Sequence, residues 1–351
     1  MSTRKMVFGI RSMVLATAIV SLLGTSMSSS VAAQAANDVA VQAQKAALDT
    51  WHDSIKRLAP PTEGCFHATY PSVIWERENC LPASAHHAVV LPRLMKLAGS
   101  HQEVMDTAGD GTDYSAKTSS LTSSAVGSFP TVTGVTAKAD YTLQLNTNFG
   151  VSSACNKTYG YSSCETWEQF IYATTGEDTS GTPPQAYIQN WIFLSSTDYK
   201  KKGCPSGWEA YAPQYACFTD SAAVNTSDVA LSSLGSVKLS GSASTSGNDV
   251  VTFTYGTTAK SVSQKGTTLS IGTTWNQSEF NVVGDGGGSG LSFNKGSSLA
   301  VKLQASSGSS TTISCVGPTN GGTTAETNNL TLGKCTASSG ANAYIQFTES
   351  D

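Results

Sequence analysis

Apolar and polar residues alternate along most of the chain after residue 129, and this alternation is its dominant pattern. Tyr141, Leu143, Leu145 and Phe149 alternate with Thr, Gln and Asn side chains. A period of two places apolar side chains on one face of a β-strand and polar side chains on the other. The same reasoning predicts further strands at 167–174, 186–194, 229–239, 250–255, 268–271, 279–283, 290–293, 298–304 and 343–347.

Clusters of Gly, Asn and Ser separate these strands at hairpin distances, as at residues 246–249. We therefore expect an all-β fold, an antiparallel two-sheet sandwich of the jelly-roll, concanavalin-like type. A sandwich of about 220 residues usually remains one domain. The predicted sandwich domain accordingly spans residues 130–351.

One long helix is predicted ahead of the strands, over residues 38–58, where apolar residues recur at spacings of three, four and seven. These residues are Val41, Leu48, Trp51, Ile55 and Leu58. Asn37 or Asp38 is expected to cap its start, and Pro60 and Pro61 to end it. Residues 36–129 are thus predicted to form a helical and irregular N-terminal arm, either a propeptide that covers the sandwich or a wrapped extension.

The first 35 residues have the features of a secretory signal peptide. Arg4, Lys5 and Arg11 precede an apolar run over residues 13–23 that is too short to span a bilayer, and Ala33 to Ala35 form a small-x-small cleavage site. We expect export to the extracellular or periplasmic space. The alternative is an uncleaved membrane anchor. After cleavage no membrane association is expected.

The charge of the chain bears on its partners. Of 21 basic and 25 acidic residues, the first 35 positions hold three basic and no acidic ones, which leaves 18 basic against 25 acidic residues and a mature net charge of −7. An acidic surface without a basic cluster in the sequence argues against nucleic acid and anionic membranes. We expect a monomer that acts on a polypeptide or a glycan.

The positions of the histidines restrict the chemistry. All five precede residue 102, at His52, His67, His86, His87 and His101. A Ser-His-Asp triad, a Cys-His pair and a His-based metal site all need imidazole. The sandwich should therefore work with carboxylates, amides and hydroxyls, and no metal or cofactor is expected.

Eight cysteines in an exported chain predict four disulfides. Each cysteine has a neighbour within 20 residues, so local pairing is expected, whereas a zinc site would lack any CxxC spacing. The predicted pairs are Cys65–Cys80, Cys155–Cys164, Cys204–Cys217 and Cys315–Cys335.

Three consecutive predicted strands combine amide, carboxylate and aromatic side chains. In the third strand, a two-residue period places Gln189 and Trp191 on a face opposite apolar core residues. In the middle strand, Glu168 and Gln169 must lie on opposite faces, and the pattern leaves open which of them faces the core. The candidates for substrate contact are Gln144, Asn146, Trp167, Gln169, Tyr187 and Trp191.

The segments 167–172 (Trp-Glu-Gln-Phe-Ile-Tyr) and 187–191 (Tyr-Ile-Gln-Asn-Trp), with the following loop between Cys204 and Cys217, resemble the glutamic peptidases of the eqolisin and neprosin types. The resemblance implies a secreted, disulfide-bearing β-sandwich hydrolase with a catalytic glutamate and, as in eqolisins, a glutamine. It implies catalytic roles for Glu168 and Gln189, in the reverse of the eqolisin order along the chain.

Elementary chemistry supports such a pair. A partly buried Glu168 would have a raised pKa, could activate water as a general base and could return the proton to a leaving amine. The Gln189 amide could stabilise the oxyanion. Such a site favours acidic pH. Glu279 and Glu326 remain as candidates for a second acid.

Three alternatives stay open. Glu168 could be a solvated strand residue with Gln189 as a cross-strand partner. The chain could also be a noncatalytic module that binds glycans by stacking on Trp167, Tyr187 and Trp191. A glycosidase, finally, would need two carboxylates across a cleft, which Glu165 and Glu168 on a single strand do not provide.

Overall fold

The structure, a computed structural model, describes residues 28–83, 113–174, 183–284, 291–318 and 328–351. The helices are α1 (Ser28–Ile55), α2 (Ala154–Lys157) and α3 (Ser196–Lys202). The strands are β1 (Gly64–Thr69), β2 (Glu76–Glu78), β3 (Leu81–Pro82), β4 (Ser115–Thr118), β5 (Ser124–Thr133), β6 (Tyr141–Thr147), β7 (Cys164–Ala173), β8 (Gln185–Leu194), β9 (Glu209–Tyr211), β10 (Ala216–Asp220), β11 (Ala222–Asn225), β12 (Val237–Ser242), β13 (Asn248–Tyr255), β14 (Thr258–Lys265), β15 (Gln277–Gly284), β16 (Ser298–Ser306), β17 (Ile313–Val316), β18 (Thr331–Leu332), β19 (Thr336–Ser338) and β20 (Tyr344–Ser350).

Two antiparallel sheets form the predicted sandwich, which confirms the all-β fold class. Sheet I has the strand order β18-β20-β16-β5-β12-β13-β14-β1-β2, with β19 beside β20. Sheet II has the order β17-β4-β15-β6-β7-β8-β10-β9, with β11 beside β8 and β3. By contacts the chain divides into Met1–Ala47 and Leu48–Asp351, and both sheets and all disulfides belong to the second unit.

The main core lies between the sheets, where large rings pack against positions that have no side chain. A Cβ atom on Gly241 of sheet I would lie 2.1 Å from the Phe170 ring of sheet II, and one on Gly127 would lie 2.1 Å from the Phe280 ring. Glycine at these two positions therefore lets each aromatic ring of sheet II approach the backbone of sheet I. These contacts fix the spacing of the sheets beside β7 and β15.

All four predicted disulfides are present, and the local pairing is confirmed. The Cα–Cα distances lie between 5.2 and 6.3 Å, within the usual range for this bond. Cys155–Cys164 joins α2 to the start of β7, and Cys204–Cys217 joins the segment after α3 to β10. Four disulfides indicate an oxidising compartment.

The N-terminal boundaries differ from the prediction. Helix α1 begins at Ser28, ten residues early, so Asn37 and Asp38 lie inside it and do not cap it. The alanine-rich sequence before Asn37 has high helix propensity, which explains the extension. Toward its end, Trp51 and Ile55 are buried beside Ala68 and Ala259.

The predicted change from arm to sandwich at residue 129 does not match the sheets. Strand β5 lies in the middle of sheet I between β12 and β16, and β1 pairs with β14 through six residues. Much of the predicted arm is therefore part of the sandwich. Residues 84–112 of the arm and residues 1–27 of the signal-peptide prediction lie outside the described residues.

Some predicted strands also differ. Thr258–Lys265 forms β14, which the alternation missed because both of its faces carry polar side chains. Residues 231–236, inside the strand predicted at 229–239, form a 3-10 turn, and the strand predicted at 268–271 is instead a turn that leads into a 3-10 turn at 271–273. Within the described residues, no helix is long and apolar enough to cross a membrane.

We predict that Gly241→Ala destabilises the sandwich, because the new methyl group overlaps the buried Phe170 ring. Overpacking of this kind costs about 1–3 kcal/mol of unfolding free energy. Gly235→Ala is the matched control, since its Cβ would lie 3.6 Å from the nearest atom. Urea unfolding of both variants tests the packing, and equal stability of the two would contradict it.

Candidate functional site

Strand register brings the polar candidates of sheet II into one row. Gln169 of β7 lies opposite Gln189 of β8 and Asn146 of β6. Asn146 lies opposite Glu279 of β15, and Gln189 lies opposite Asp220 of β10. Directly opposed residues of antiparallel strands project to the same face. The five side chains therefore form a line across five neighbouring strands, which we call the polar row.

The polar row lies on the face of sheet II that points away from sheet I. The opposite face carries Phe170, Ile188 and Phe280, which belong to the core between the sheets. Four members of the row, Glu279, Asn146, Gln169 and Gln189, are nevertheless at most 3% exposed. Because buried polar groups need partners, the hydrogen bonds of the row determine its arrangement.

From Trp191, one arm of hydrogen bonds runs toward Glu279. Trp191 Nε1 donates to Gln169 Oε1 at 3.2 Å. Gln169 Nε2 in turn donates to Asn146 Oδ1 at 3.1 Å and to Gln144 Oε1 at 2.9 Å. Asn146 Nδ2 then donates to Glu279 Oε2 at 3.0 Å. Each amide thus presents its oxygen toward Trp191 and its nitrogen toward the carboxylate.

A second arm runs the other way. Trp191 Nε1 also donates to Gln189 Oε1 at 2.9 Å, and Gln189 Nε2 donates to Asp220 Oδ1 at 3.0 Å. An indole N–H can only donate. Trp191 therefore fixes the direction of both arms, and each arm ends with an amide N–H directed at a carboxyl group.

An aromatic cluster borders the row. Trp167 stacks on Phe149 with ring centroids 5.2 Å apart, and Trp191 stacks on Phe218 at 4.9 Å and on Phe193 at 5.8 Å. Both tryptophans are at most 1% exposed. Since other rings already cover their faces, these two indoles are not available for stacking on a sugar.

The carboxyl group at one end of the row has a shifted pKa. Burial raises the pKa of Asp220 to about 6, the hydrogen bond from Gln189 opposes this shift, and the charge of Glu209 adds to it. Nearby, burial and then the Asp220 charge raise the pKa of Tyr187 well above its ordinary value. Tyr187 packs with Ile171 and Ala223 on the same face.

The predicted pairing of Glu168 with Gln189 is wrong. Glu168 lies opposite Asn190, on the face of β7 that points toward sheet I. Its Oε2 accepts a hydrogen bond at 3.2 Å from Nε2 of Gln264, a residue of sheet I. Glu168 and Gln189 therefore project to opposite faces of sheet II and cannot act on one substrate. The earlier ambiguity of β7 is resolved in favour of Gln169 as the partner of Gln189.

Glu168 belongs instead to a buried pair of carboxyl groups between the sheets. Its carboxyl group lies beside that of Asp249 in sheet I, and two buried carboxyl groups at such close range favour a state in which one of them keeps its proton. Burial raises the pKa of Glu168 well above its ordinary value, and the Asp249 charge adds to this. Burial likewise raises the pKa of Asp249, against the backbone N–H of Ser244.

A second pair of carboxyl groups lies beside Asn281 of β15. Asn281 Nδ2 donates to Asp113 Oδ2 at 2.9 Å and to Glu349 Oε2 at 3.1 Å. Burial, and then the charge of Asp113, raise the pKa of Glu349 well above its ordinary value. The fold therefore encloses carboxyl groups that favour their protonated form.

The six predicted contact residues all lie on the outward face of sheet II. Among them, Gln144 lies opposite Ile171, and its side-chain oxygen accepts a hydrogen bond from Gln169 Nε2. The sequence analysis did not identify Asp220 or Asp249, whose only visible sign is their position within alternating strand patterns. It named Glu279 only as a candidate for a second acid, behind Glu168. Glu326 lies outside the described residues. Among the residues that the structure describes, no group of three or more His, Cys, Asp or Glu side chains could hold a metal ion.

Comparison with known proteins adds little. No family model and no curated protein matches the chain. Among solved structures, scytalido-glutamic peptidase with a transition state analog inhibitor is 11% identical, with a TM-score of 0.27 over 67% of this chain and 95% of that one. SCP-B, a member of the eqolisin family in complex with the tripeptide Ala-Ile-His, is 12% identical, with a TM-score of 0.28 over 69% and 98%. This is a distant structural resemblance and says nothing about the site.

We predict that the protein loses stability as the pH rises from about 4 toward neutrality. Carboxyl groups whose pKa is raised in the folded state contribute stability below their ordinary pKa and lose it as the pH rises through the raised value. Asp249→Asn should reduce the change in unfolding free energy between pH 4 and 7 by on the order of 1–3 kcal/mol, because an amide N–H can donate to an ionised Glu168.

Chemical denaturation between pH 4 and 7 measures this effect. Asp228→Asn is the control, since Asp228 is exposed. The Asp113–Glu349 pair should retain part of the pH dependence in Asp249→Asn. A wild-type protein that becomes more stable toward neutral pH would contradict the assignment.

We also predict that Trp191→Phe destabilises the protein by about 1–3 kcal/mol, because it leaves the oxygens of Gln169 and Gln189 without their shared donor. Trp75→Phe, which removes an indole donor to Leu58 O at an exposed site, should cost less. Urea unfolding of both variants provides the comparison. An equal loss in the two would show that the indole N–H does not hold the row together.

Proposed function

We propose that this chain is a secreted, acid-active, glutamate-dependent peptide hydrolase whose site is the polar row of sheet II. The observation that supports it is the contact between Asn146 Nδ2 and Glu279 Oε2 on a water-poor face. In this proposal Glu279 replaces Glu168 as the general base, and Asn146 replaces Gln189 as the amide that binds the oxyanion.

The row contains the groups that amide hydrolysis needs. In its ionised form, the Glu279 carboxylate would take a proton from water while the water oxygen forms a bond to the scissile carbonyl carbon. Asn146 Nδ2 has a second hydrogen beyond the one given to Glu279, and this N–H donates to the developing oxyanion. Glu279 then returns the proton to the amide nitrogen as the C–N bond breaks, which gives a carboxylic acid and an amine.

Gln169 has a positioning role in this scheme. Its Nε2 holds Asn146 Oδ1 and so directs the Asn146 nitrogen to Glu279. Gln169 is itself oriented by Trp191, as described above. A preorganised donor of this kind needs no rearrangement as charge develops.

The burial of the row has a consequence for activation. Side chains that are at most 3% exposed can meet a polypeptide only after part of the protein moves, so the structure corresponds to a closed form. If the predicted N-terminal arm is a propeptide, its removal by a cut between residues 100 and 130 is one route to this opening. A cut within β5 would break the centre of sheet I, so a productive cut has to precede Ser124.

Acid conditions suit this chemistry because the raised pKa values of carboxyl groups such as Glu168 and Asp249 make the fold more stable at acidic pH.

The rival proposal, glycan binding by stacking on the outward face of sheet II, is less favoured. Its expected rings, Trp167 and Trp191, are covered by Phe149, Phe193 and Phe218.

We predict that the protein, incubated at acidic pH, cleaves denatured protein substrates, and that Glu279→Gln lowers kcat by a factor of about 100 to 10,000. The matched control is Glu165→Gln, which removes a carboxylate from β7, opposite Phe193, on the same outward face of sheet II as Glu279. Glu165→Gln should keep its activity.

Peptide release measured by mass spectrometry, with stability checked in parallel, distinguishes the outcomes. Cleavage that survives Glu279→Gln would remove this residue as the base. Absence of cleavage by a wild-type protein whose row has become accessible to solvent would end the peptidase proposal.

A further inference from the structure

The outward face of sheet I carries a second site, separate from the polar row. Here a groove with a cavity volume of about 470 Å³ runs over β16, β5, β12 and β13, a volume that suits a small ligand. Its floor is made largely of hydroxyl and amide side chains. They include Ser124, Ser240, Ser242, Thr252, Gln304 and Ser306. We call this site the hydroxyl groove.

The floor offers side-chain hydrogen bonds and leaves no backbone to pair with. All four of its strands lie inside sheet I, between β20 and β14, so their backbone groups are already bonded to neighbouring strands. A peptide cannot add to this surface as an extra strand, which is the usual way for a sheet to bind one. The apolar side chains of the floor, Val126 and Val250, are too few to form pockets for peptide side chains.

One wall of the groove is positively charged, in a chain that is acidic as a whole. Lys56 and Arg57 line it, whereas no Asp or Glu does. Lys238 and Lys302 lie on the same strands, two residues before Ser240 and Gln304. Two cations within hydrogen-bond reach of a polar floor favour a ligand with a negative charge.

The cations are only partly neutralised. Asp53 accepts from Lys56 Nζ at 2.8 Å and from Lys238 Nζ at 3.2 Å. Arg57 Nη2 reaches Asn342 Oδ1, on the opposite wall, at 3.5 Å, which is the limit for a hydrogen bond. A ligand carboxylate is a stronger acceptor for a guanidinium than this amide oxygen, since it adds charge and can bind in a bidentate manner.

From this arrangement we propose that the hydroxyl groove binds a short acidic oligosaccharide of the uronic acid class. The carboxylate would bind Arg57 and Lys56, and the sugar hydroxyl groups would exchange hydrogen bonds with Ser242, Ser240 and Gln304. Binding here is independent of Glu279 and goes beyond the proposed hydrolysis. The site would attach the protein to acidic polysaccharide outside the cell.

Isothermal titration calorimetry of the full chain tests this with three probes: a galacturonic acid disaccharide, the corresponding neutral galactose disaccharide, and inorganic sulfate alone. We expect the acidic disaccharide to bind at least about tenfold more tightly than either of the others, because it uses both the charge and the hydroxyl contacts. Its affinity should fall as salt is added.

Two variants locate the site. Arg57→Gln should weaken the acidic disaccharide about tenfold, as expected for one charge-assisted hydrogen bond. Ser242→Val should weaken both disaccharides and leave sulfate unchanged. Arg77→Gln, which changes an arginine that donates to Thr62 and Glu63, is the matched control and should bind as wild type. Glu279→Gln should also bind as wild type, which separates this test from that of hydrolysis.

Several results would overturn the proposal. Equal affinity for neutral and acidic disaccharides would remove the role of the cations, and sulfate binding as tightly as the acidic disaccharide would reduce the site to an anion site. Tighter binding of an acidic peptide than of the uronic acid disaccharide, lost in Arg57→Gln, would assign the groove to a protein partner. Absence of binding by any probe would exclude it as a sugar site.

Discussion

The register of β7 against β8 is the constraint on which the arrangement of sheet II depends. Ten consecutive pairs, from Cys164↔Leu194 to Ala173↔Gln185, fix which side chains point toward sheet I and which point away. A slip of one residue would exchange the environments of Glu168 and Gln169. In this register, the Phe170 ring fills the space beside Gly241, where a Cβ atom would lie 2.1 Å from it.

Once the register is fixed, the buried polar side chains on each face of sheet II need hydrogen-bond partners on that same face. The two faces provide these partners in different ways. On the inward face, burial and their mutual proximity raise the pKa values of Glu168 and Asp249, so the stability of this arrangement depends on pH. On the outward face, amides link Trp191 to Glu279 and to Asp220 without any shared proton. The single donor of the indole gives this network one direction and leaves an amide N–H beside Glu279.

The outward faces of the two sheets have different chemistry. That of sheet II is aromatic and amide-rich around a buried carboxylate, which suits bond cleavage in a water-poor site. The outward face of sheet I has a groove with a hydroxyl floor and a cationic wall, which suits reversible binding of a hydrated, charged ligand. Since the sandwich core separates the two faces, the two proposed activities can be altered independently.

The sequence by itself determined the fold class, the disulfide pairs and, on sheet II, the shared face of Gln144 and Asn146 and that of Tyr187 and Trp191. These depend on local features, because alternation with a period of two and cysteine spacing are visible within a few residues. The parity of β7, the partner of Glu168, the place of β5 and the cationic wall at Lys56 and Arg57 were decided by the tertiary structure. Each depends on contacts between residues that are distant in the chain: Phe170 meets Gly241, Glu168 meets Asp249, and Asn146 meets Glu279 only when strands from separate parts of the sequence pair and pack. A one-dimensional pattern shows that a strand has two faces, and only packing decides which of them is inside.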